Sequence, residues 1–276
     1  MDVRGALAPR IVGIVLVHNE DVFVEQAIRN VAEFCDAIHA VDHVSTDGTW
    51  DALRKVAGEY DHVDVRRVKH AGESHTVVEP YAGTPTWVFG VDGDELYDPA
   101  RLARFRSELL GGAYASAFKV ASNVVNCVEL DPSAATATGY PSPPSRSITK
   151  LYNFGALESW AGDGAERLHG GKPVFRSGWD ETSVDNIGER TSWDDTPLRC
   201  LHMCFLPRST SDTGPTNRPI LEETTLHDRS WRGALKRLLR RRVVPAESAW
   251  KREKYMRGEL VTVDAAPFFG ERQSSA

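Results

Sequence analysis

The chain has 276 residues, 41% of them hydrophobic and 26% charged, and its formal net charge is −6 at pH 7. This is the composition of a soluble globular enzyme, one large domain or one domain with an appendage, long enough to bury a substantial core. The acidic balance argues against a nucleic-acid-binding protein, and four scattered cysteines, Cys35, Cys127, Cys200 and Cys204, neither build a disulfide scaffold nor complete a zinc site. The apolar run at 11–17 is too short to span a membrane and carries no cleavage pattern, so a cytoplasmic location is expected.

In chain order, residues 11–17 read as a β-branched strand buried on both faces, ending at His18-Asn19-Glu20. Residues 21–35 place Val24, Ala27, Ile28, Val31 and Phe34 at a helical period, with Asp21 as cap. A second strand over 37–41 ends at Asp42, and the turn-rich Ser45-Thr46-Asp47-Gly48-Thr49 opens a helix over 49–60. A third strand covers 63–68, and a short helix covers 73–81. Then Trp87-Val88-Phe89-Gly90-Val91 runs into Asp92-Gly93-Asp94-Glu95, a buried strand that ends in three carboxylates within four residues.

This alternation predicts a parallel sheet with right-handed crossovers. All strand C-termini then share one edge, where ligands bind in open α/β sheets. Glu20, Asp42 and the Asp92–Glu95 cluster therefore converge in one crevice. Clustered carboxylates repel one another unless a positive charge sits between them. Mg²⁺ or Mn²⁺ meets that need with oxygen ligands; a solvated acidic turn leading into the next helix is the alternative.

Beyond the cluster, 99–110 is a helix with Asp98 as cap and Pro99 in its first turn. Residues 113–128 form a long strand-like segment, and 130–147 a proline-, serine- and threonine-rich loop. Another strand follows at 148–154. The segment 155–171 scatters Gly among Trp160, Asp163, Glu166 and His169. A last strand at 198–205 holds His202, and 208–229 is polar loop. Residues 229–242 gather Arg and Lys around Trp231, Leu235, Leu238 and Leu239 as a basic amphipathic helix. Its apolar face is expected to pack on the domain with its charges in water. That reading is preferred to peripheral contact with an anionic membrane or to lining the acceptor site. A further helix runs from Pro245 toward Gly258.

Three stretches carry a resemblance: Ile14-Val15-Leu16-Val17-His18-Asn19-Glu20, then Val41-Asp42-His43-Val44-Ser45-Thr46-Asp47-Gly48-Thr49, then Val91-Asp92-Gly93-Asp94-Glu95. In this order and spacing, over roughly the first hundred residues, the chain resembles family-two-like glycosyltransferases of the A-type fold. The resemblance implies an α/β architecture: a single mostly parallel sheet flanked by helices, with a Rossmann-like nucleotide-binding half and a C-terminal helical appendage. The catalytic domain would be 1–228, divided into a nucleotide-sugar half (1–110) and an acceptor half (111–228), with a basic helical extension over 229–276.

It further implies transfer of a sugar from a nucleoside-diphosphate sugar, UDP favoured, to a hydroxyl acceptor with inversion, assisted by Mn²⁺ or Mg²⁺. Val17, Asn19, Glu20 and Asp42 would line the nucleoside pocket, with Asp42 accepting a base N–H. Asp92 would lie near the ribose or a metal-bound water, and Asp94 would bind the metal through which the diphosphate leaving group is stabilised. Lys150-Leu151-Tyr152-Asn153 with Trp160, Gly162, Glu166 and His169 is similar to the acceptor-side segment of these families. Glu166 is there the first choice of general base and Asp163 the second, against solvated carboxylates in a Gly-rich loop. His202 is a late metal ligand or a satisfied core histidine, and Arg208 meets a phosphate or is a solvated loop charge.

Two departures stand out. His43-Val44 replaces the common Asp-Gly, and the 73–81 segment lacks the usual Arg, leaving His75 as the nearest phosphate-binding candidate. Glu95 would cap or pair with a nearby base, or share the metal. The competing readings are a nucleotidyltransferase or phosphatase of another α/β fold and a non-catalytic nucleotide-sugar-binding protein.

Overall fold

The computed structural model describes residues 8–69, 73, 76–162, 171–212 and 253–269. At its centre lies β1 (Arg10–Val17), a run of β-branched and aliphatic residues buried from its second residue to its last. Such a strand needs cover on both faces. It pairs in parallel with β2 (Ala37–Asp42) on one side and with β4 (Thr86–Val91) on the other, and β3 (Val63–Arg67) continues in parallel beyond β2. The order β3-β2-β1-β4 reverses direction at β1. The crevice outside the ends of β1 and β4 is therefore a topological switch point, where ligand sites of open α/β sheets form.

Past β4 the sheet is mixed. β9 (Lys150–Asn153) lies antiparallel to both β4 and β6 (Lys119–Ala121), and β12 (Val184–Asn186) closes the seven-stranded sheet parallel to β6. Helix α1 (Val24–Ala32) buries Val24, Ala27, Ile28 and Val31, the helical stripe legible in the sequence. α2 (Thr49–Ala57) buries Leu53 and Val56. In α3 (Pro99–Leu110), Pro99 occupies the first turn and the Asp98 carboxylate accepts the Arg101 N–H at 3.2 Å. The other oxygen of Asp98 takes the Arg199 guanidinium at 2.8 and 3.0 Å.

The expected single sheet is corrected by a second one of five strands, in order β14 (Val261–Asp264), β8 (Thr136–Ser142), β7 (Asn123–Asp131), β13 (Arg199–His202) and β5 (Glu95–Tyr97). Separately, β10 (Leu157–Gly162) and β11 (Gly171–Phe175) pair antiparallel as a two-stranded sheet. The expected long strand at 113–128 breaks at Ser122, so that β6 and β7 belong to different sheets. Apolar periodicity runs through such a break because both halves are buried. The expected loop at 130–147 contains β8, whose Thr and Gly residues hid it. Of the expected helix at 73–81, a 3-10 turn at Glu79–Tyr81 is seen among the described residues. Asp21 does not cap α1, which starts after Phe23; its carboxylate accepts from Gly48 and Thr210 instead.

Of the expected C-terminal extension, residues 253–269 are described. The basic helix at 229–242 lies outside the described residues. Among residues 253–269, 253–255 are helical, within the helix expected toward Gly258, β14 extends the second sheet against β8, and the short helix Ala266–Phe269 packs on the core. Phe268 is fully buried and stacks on Trp193. The Asn30 side-chain amide, buried in α1, donates both hydrogens, one to Tyr97 O at 2.7 Å and one to Phe268 O at 2.8 Å. No helix among the described residues is long and apolar enough to cross a membrane.

Because Phe268 completes the core, Phe268→Ala should lower the unfolding free energy by about 3–5 kcal/mol. Urea denaturation measures this, and a loss below about 1 kcal/mol would show the C-terminal segment to be an ornament rather than part of the body.

Candidate active site

The parallel strands deliver Val17, Asp42 and Val91 to one edge, and the chain turns there with carboxylates. After β4, Asp92-Gly93-Asp94 makes a tight turn closed by Glu95 N donating to Asp92 O. Gly93 is required by close approach. A Cβ at this position would sit 2.4 Å from Glu20 Oε2 and 3.0 Å from Val17 Cγ1. The missing side chain thus brings Glu20, from the end of β1, against the acidic turn after β4. Val17 is fully buried beneath this turn.

Glu20, Asp94 and Glu95 are all buried. Arg208 donates to Asp94 Oδ2 at 2.6 Å and stands 3.7 Å from Glu20 Oε1. Desolvation works against its charge, but Asp94 and Glu20 more than offset this and hold its pKa above the usual guanidinium value. Lys150, buried in β9, donates to Glu95 Oε1 at 2.6 Å and reaches Asp92 Oδ1 at 3.1 Å. Burial pushes the Glu95 carboxyl up to about 7, against the pull of Lys150. Glu95 therefore pairs with a base in this structure.

His202 enters from β13, in register with Glu95 across the β13–β5 pair. Its Nε2 lies 3.9 Å from Asp94 Oδ2. Its Nδ1 lies 2.8 Å from Asn126 Oδ1, while Asn126 Nδ2 donates to Tyr140 O at 3.4 Å. With the amide in that orientation Nδ1 is the donor to Asn126 Oδ1, which leaves Nε2 as the ring nitrogen on the Asp94 side. Tyr255 covers the ring from the side, with centroids 5.7 Å apart.

Asp42 is fully buried, and its carboxylate accepts from Ser45 N at 3.1 Å and from Arg67 Nε at 2.5 Å. The more exposed partner is Arg67 at the end of β3, whose guanidinium lies 4.9 Å from the centre of the Trp50 ring. Asn19, with φ of 54°, receives Thr46 N on its side-chain oxygen and donates its own N–H to Ser45 Oγ. A strap over 206–212 crosses this edge. Ser209 donates to Asp47 at 2.5 Å, Thr210 binds Asp21, and Arg208 O accepts from Val22 N. Burial pushes the Asp47 carboxyl up, and hydrogen bonds from Ser209 and Thr49 bring it below its usual range.

The structure thus brings Val17, Asn19, Glu20, Asp42, Asp92, Asp94, His202 and Arg208 to one edge. Glu166, Asp163 and His75 lie outside the described residues. Among the described residues no group of three or more His, Cys, Asp or Glu is set to hold a metal ion. The donors present nonetheless fit a hard cation that binds with its ligand, since such ions take one or two protein groups and complete their shell with phosphate and water. Asp94 and His202 Nε2, 3.9 Å apart, are the donors here that could hold one.

Arg67, Lys150, Asn126 and Tyr255 carried no assigned role in the sequence reading. Lys150 had a signal: a lysine inside an apolar strand must find a buried partner. The others left none, because their roles depend on pairings between distant strands.

No family model and no curated protein matches the chain. Partial likeness to solved structures exists. TarS from S. aureus, residues 1–349, matches at TM-score 0.37 and 18% identity over 52% of this chain and 47% of that one. A mannosyltransferase from Pyrobaculum calidifontis, in complex with GDP-Man and Mn²⁺, matches at 0.32 and 23% over 45% and 36%. The 4-diphosphocytidyl-2C-methyl-D-erythritol synthase of Anaerococcus prevotii matches at 0.34 and 12% over 53% and 71%. The chain spans about half, or less, of the length of the first two. Scores of this size carry no functional conclusion, which rests on the site itself.

Lys150→Met should strand Glu95 in the core and lower stability at neutral pH by about 3–5 kcal/mol. Chemical denaturation at pH 8 reads this, and an unchanged midpoint would mean that Lys150 is not the counter-charge of the acidic turn.

Proposed function

We propose that the chain is a metal-dependent glycosyltransferase that moves a sugar from a nucleoside-diphosphate sugar to a hydroxyl acceptor. The observation that carries this reading is the meeting of Glu20, Asp94, His202 and Arg208 at the point where the strand order reverses. Carboxylate and imidazole donors suited to a cation and a guanidinium suited to a diphosphate meet there.

Asp94 and His202 would hold the cation, and Arg208 would meet a phosphate oxygen. When bound, the cation offsets the charge that develops on the diphosphate as the sugar bond breaks. Asn126 keeps His202 in the tautomer that offers Nε2, and Lys150 steadies Asp92 and Glu95 beneath the turn. The nucleoside would lie over the ends of β1 and β2, between Asn19 and Arg67. Asp42 has both oxygens engaged, so Arg67 is the group that meets the base, and its N–H donors suit the carbonyl oxygens of uracil and of guanine alike. UDP remains the first choice by resemblance, with GDP and dTDP the comparison. Inversion, and deprotonation of the acceptor by Glu166 or Asp163, are likewise drawn from the resemblance. The nucleotidyltransferase and pure-binding readings share the same cation and diphosphate and differ in turnover.

A thermal-shift screen tests this. UDP, GDP or dTDP with Mn²⁺ at a hundred times its dissociation constant should raise the melting temperature by roughly 5–10 °C, and chelation should abolish the shift. Asp94→Asn should bind none of them in a metal-dependent way. Release of nucleoside diphosphate from a nucleotide sugar in the presence of acceptor then distinguishes the transferase. Absence of any metal-dependent shift would contradict the proposal.

A further inference from the structure

The guanidinium of Arg208 stands where a cation is needed. It is 2.6 Å from the Asp94 oxygen that faces His202 Nε2, and it also reaches Glu20. The same oxygen cannot keep a guanidinium at hydrogen-bond distance and accept a divalent ion along that direction, because two positive charges a few ångströms apart repel strongly. Nor is Arg208 a loose surface charge. Its backbone oxygen accepts from Val22, its own N–H and that of Ser209 both donate to Asp212, and Ser209 is tied to Asp47 while Thr210 is tied to Asp21. The strap fixes the backbone, leaving the side chain as the part that can turn.

We propose that Arg208 and the divalent cation are alternative counter-ions of Asp94, so that the protein takes up its metal together with a diphosphate rather than before it. This rests on the cation–diphosphate reading above and adds an order to it. With no ligand, Arg208 neutralises the buried carboxylates. A diphosphate offers the guanidinium two new acceptors in a geometry it fits well. Once Arg208 turns to them, Asp94 is open to the cation that the same diphosphate carries. Linkage makes the coupling reciprocal: whatever weakens Arg208's hold on Asp94 must strengthen the binding of metal alone.

The test is the affinity of Mn²⁺ alone, read by electron paramagnetic resonance, beside that of Mn²⁺ with UDP or GDP read by calorimetry. Arg208→Gln should bind Mn²⁺ alone about ten-fold more tightly than the wild type and the nucleotide with Mn²⁺ about ten-fold more weakly. Ser209→Ala, which loosens the strap by removing its bond to Asp47 and leaves Asp94 and Glu20 in place, should shift Mn²⁺ affinity the same way by a smaller factor and guards against poor folding of the first variant. A merely structural role for Arg208 would move both affinities down together. Unchanged or weaker Mn²⁺ binding in both variants, with nucleotide binding to the wild type intact, would overturn the exchange. No Mn²⁺-dependent nucleotide binding in the wild type would overturn the functional reading itself, and the exchange with it.

Discussion

Burying carboxylates is costly unless each finds a positive partner, and Glu20, Asp42, Asp94 and Glu95 are all buried near the ends of β1, β2 and β4. Much of the site's architecture answers that demand. Arg67 comes from β3 to Asp42, Lys150 from β9 to Glu95, and Arg208 from the strap to Asp94 and Glu20. Each cation reaches the edge from a different part of the chain. The edge is therefore tied at once to the parallel strands, to the antiparallel strand beside β4 and to the segment after β13.

The same charges separate supporting groups from those able to change partner. Lys150 and Glu95 are both out of solvent, and their exchange with a ligand would leave a bare charge in the core. Arg208 is part-exposed and sits beside a histidine oriented by Asn126. The fully buried pair thus lies below the acidic turn and the part-exposed cation above it, which is the division the proposed exchange of a charged ligand needs. Tyr255 extends this logic to the C-terminal segment, which covers the His202 ring and anchors through Ser145 and Phe268.

The first hundred residues were largely legible in the sequence because each element carries its own signal. β1 and β4 are short apolar runs ended by acids, α1 has a clean helical stripe, and α3 announces itself by Asp98-Pro99. The second sheet was not legible. β8 lacks apolar contrast, β6 and β7 read as one run, and β14 sits at the far end of the chain from its partner. The convergence of Glu20 with the acidic turn followed from parallel topology alone, whereas the cations that balance it did not. A strand's identity is written locally, but the partner of a buried charge is written in register and strand order, which one sequence does not display. The Asp42 carboxylate illustrates this: its position was foreseeable, its capture by Arg67 was not.

The most direct measurement is a crystal structure with a nucleoside diphosphate and Mn²⁺, the metal located by its anomalous scattering. Manganese on Asp94 and the diphosphate, with the Arg208 guanidinium turned from Asp94 to a phosphate oxygen, is the predicted result. A diphosphate bound elsewhere, or one seated at this edge while Arg208 still holds Asp94 and no metal lies between, would contradict it.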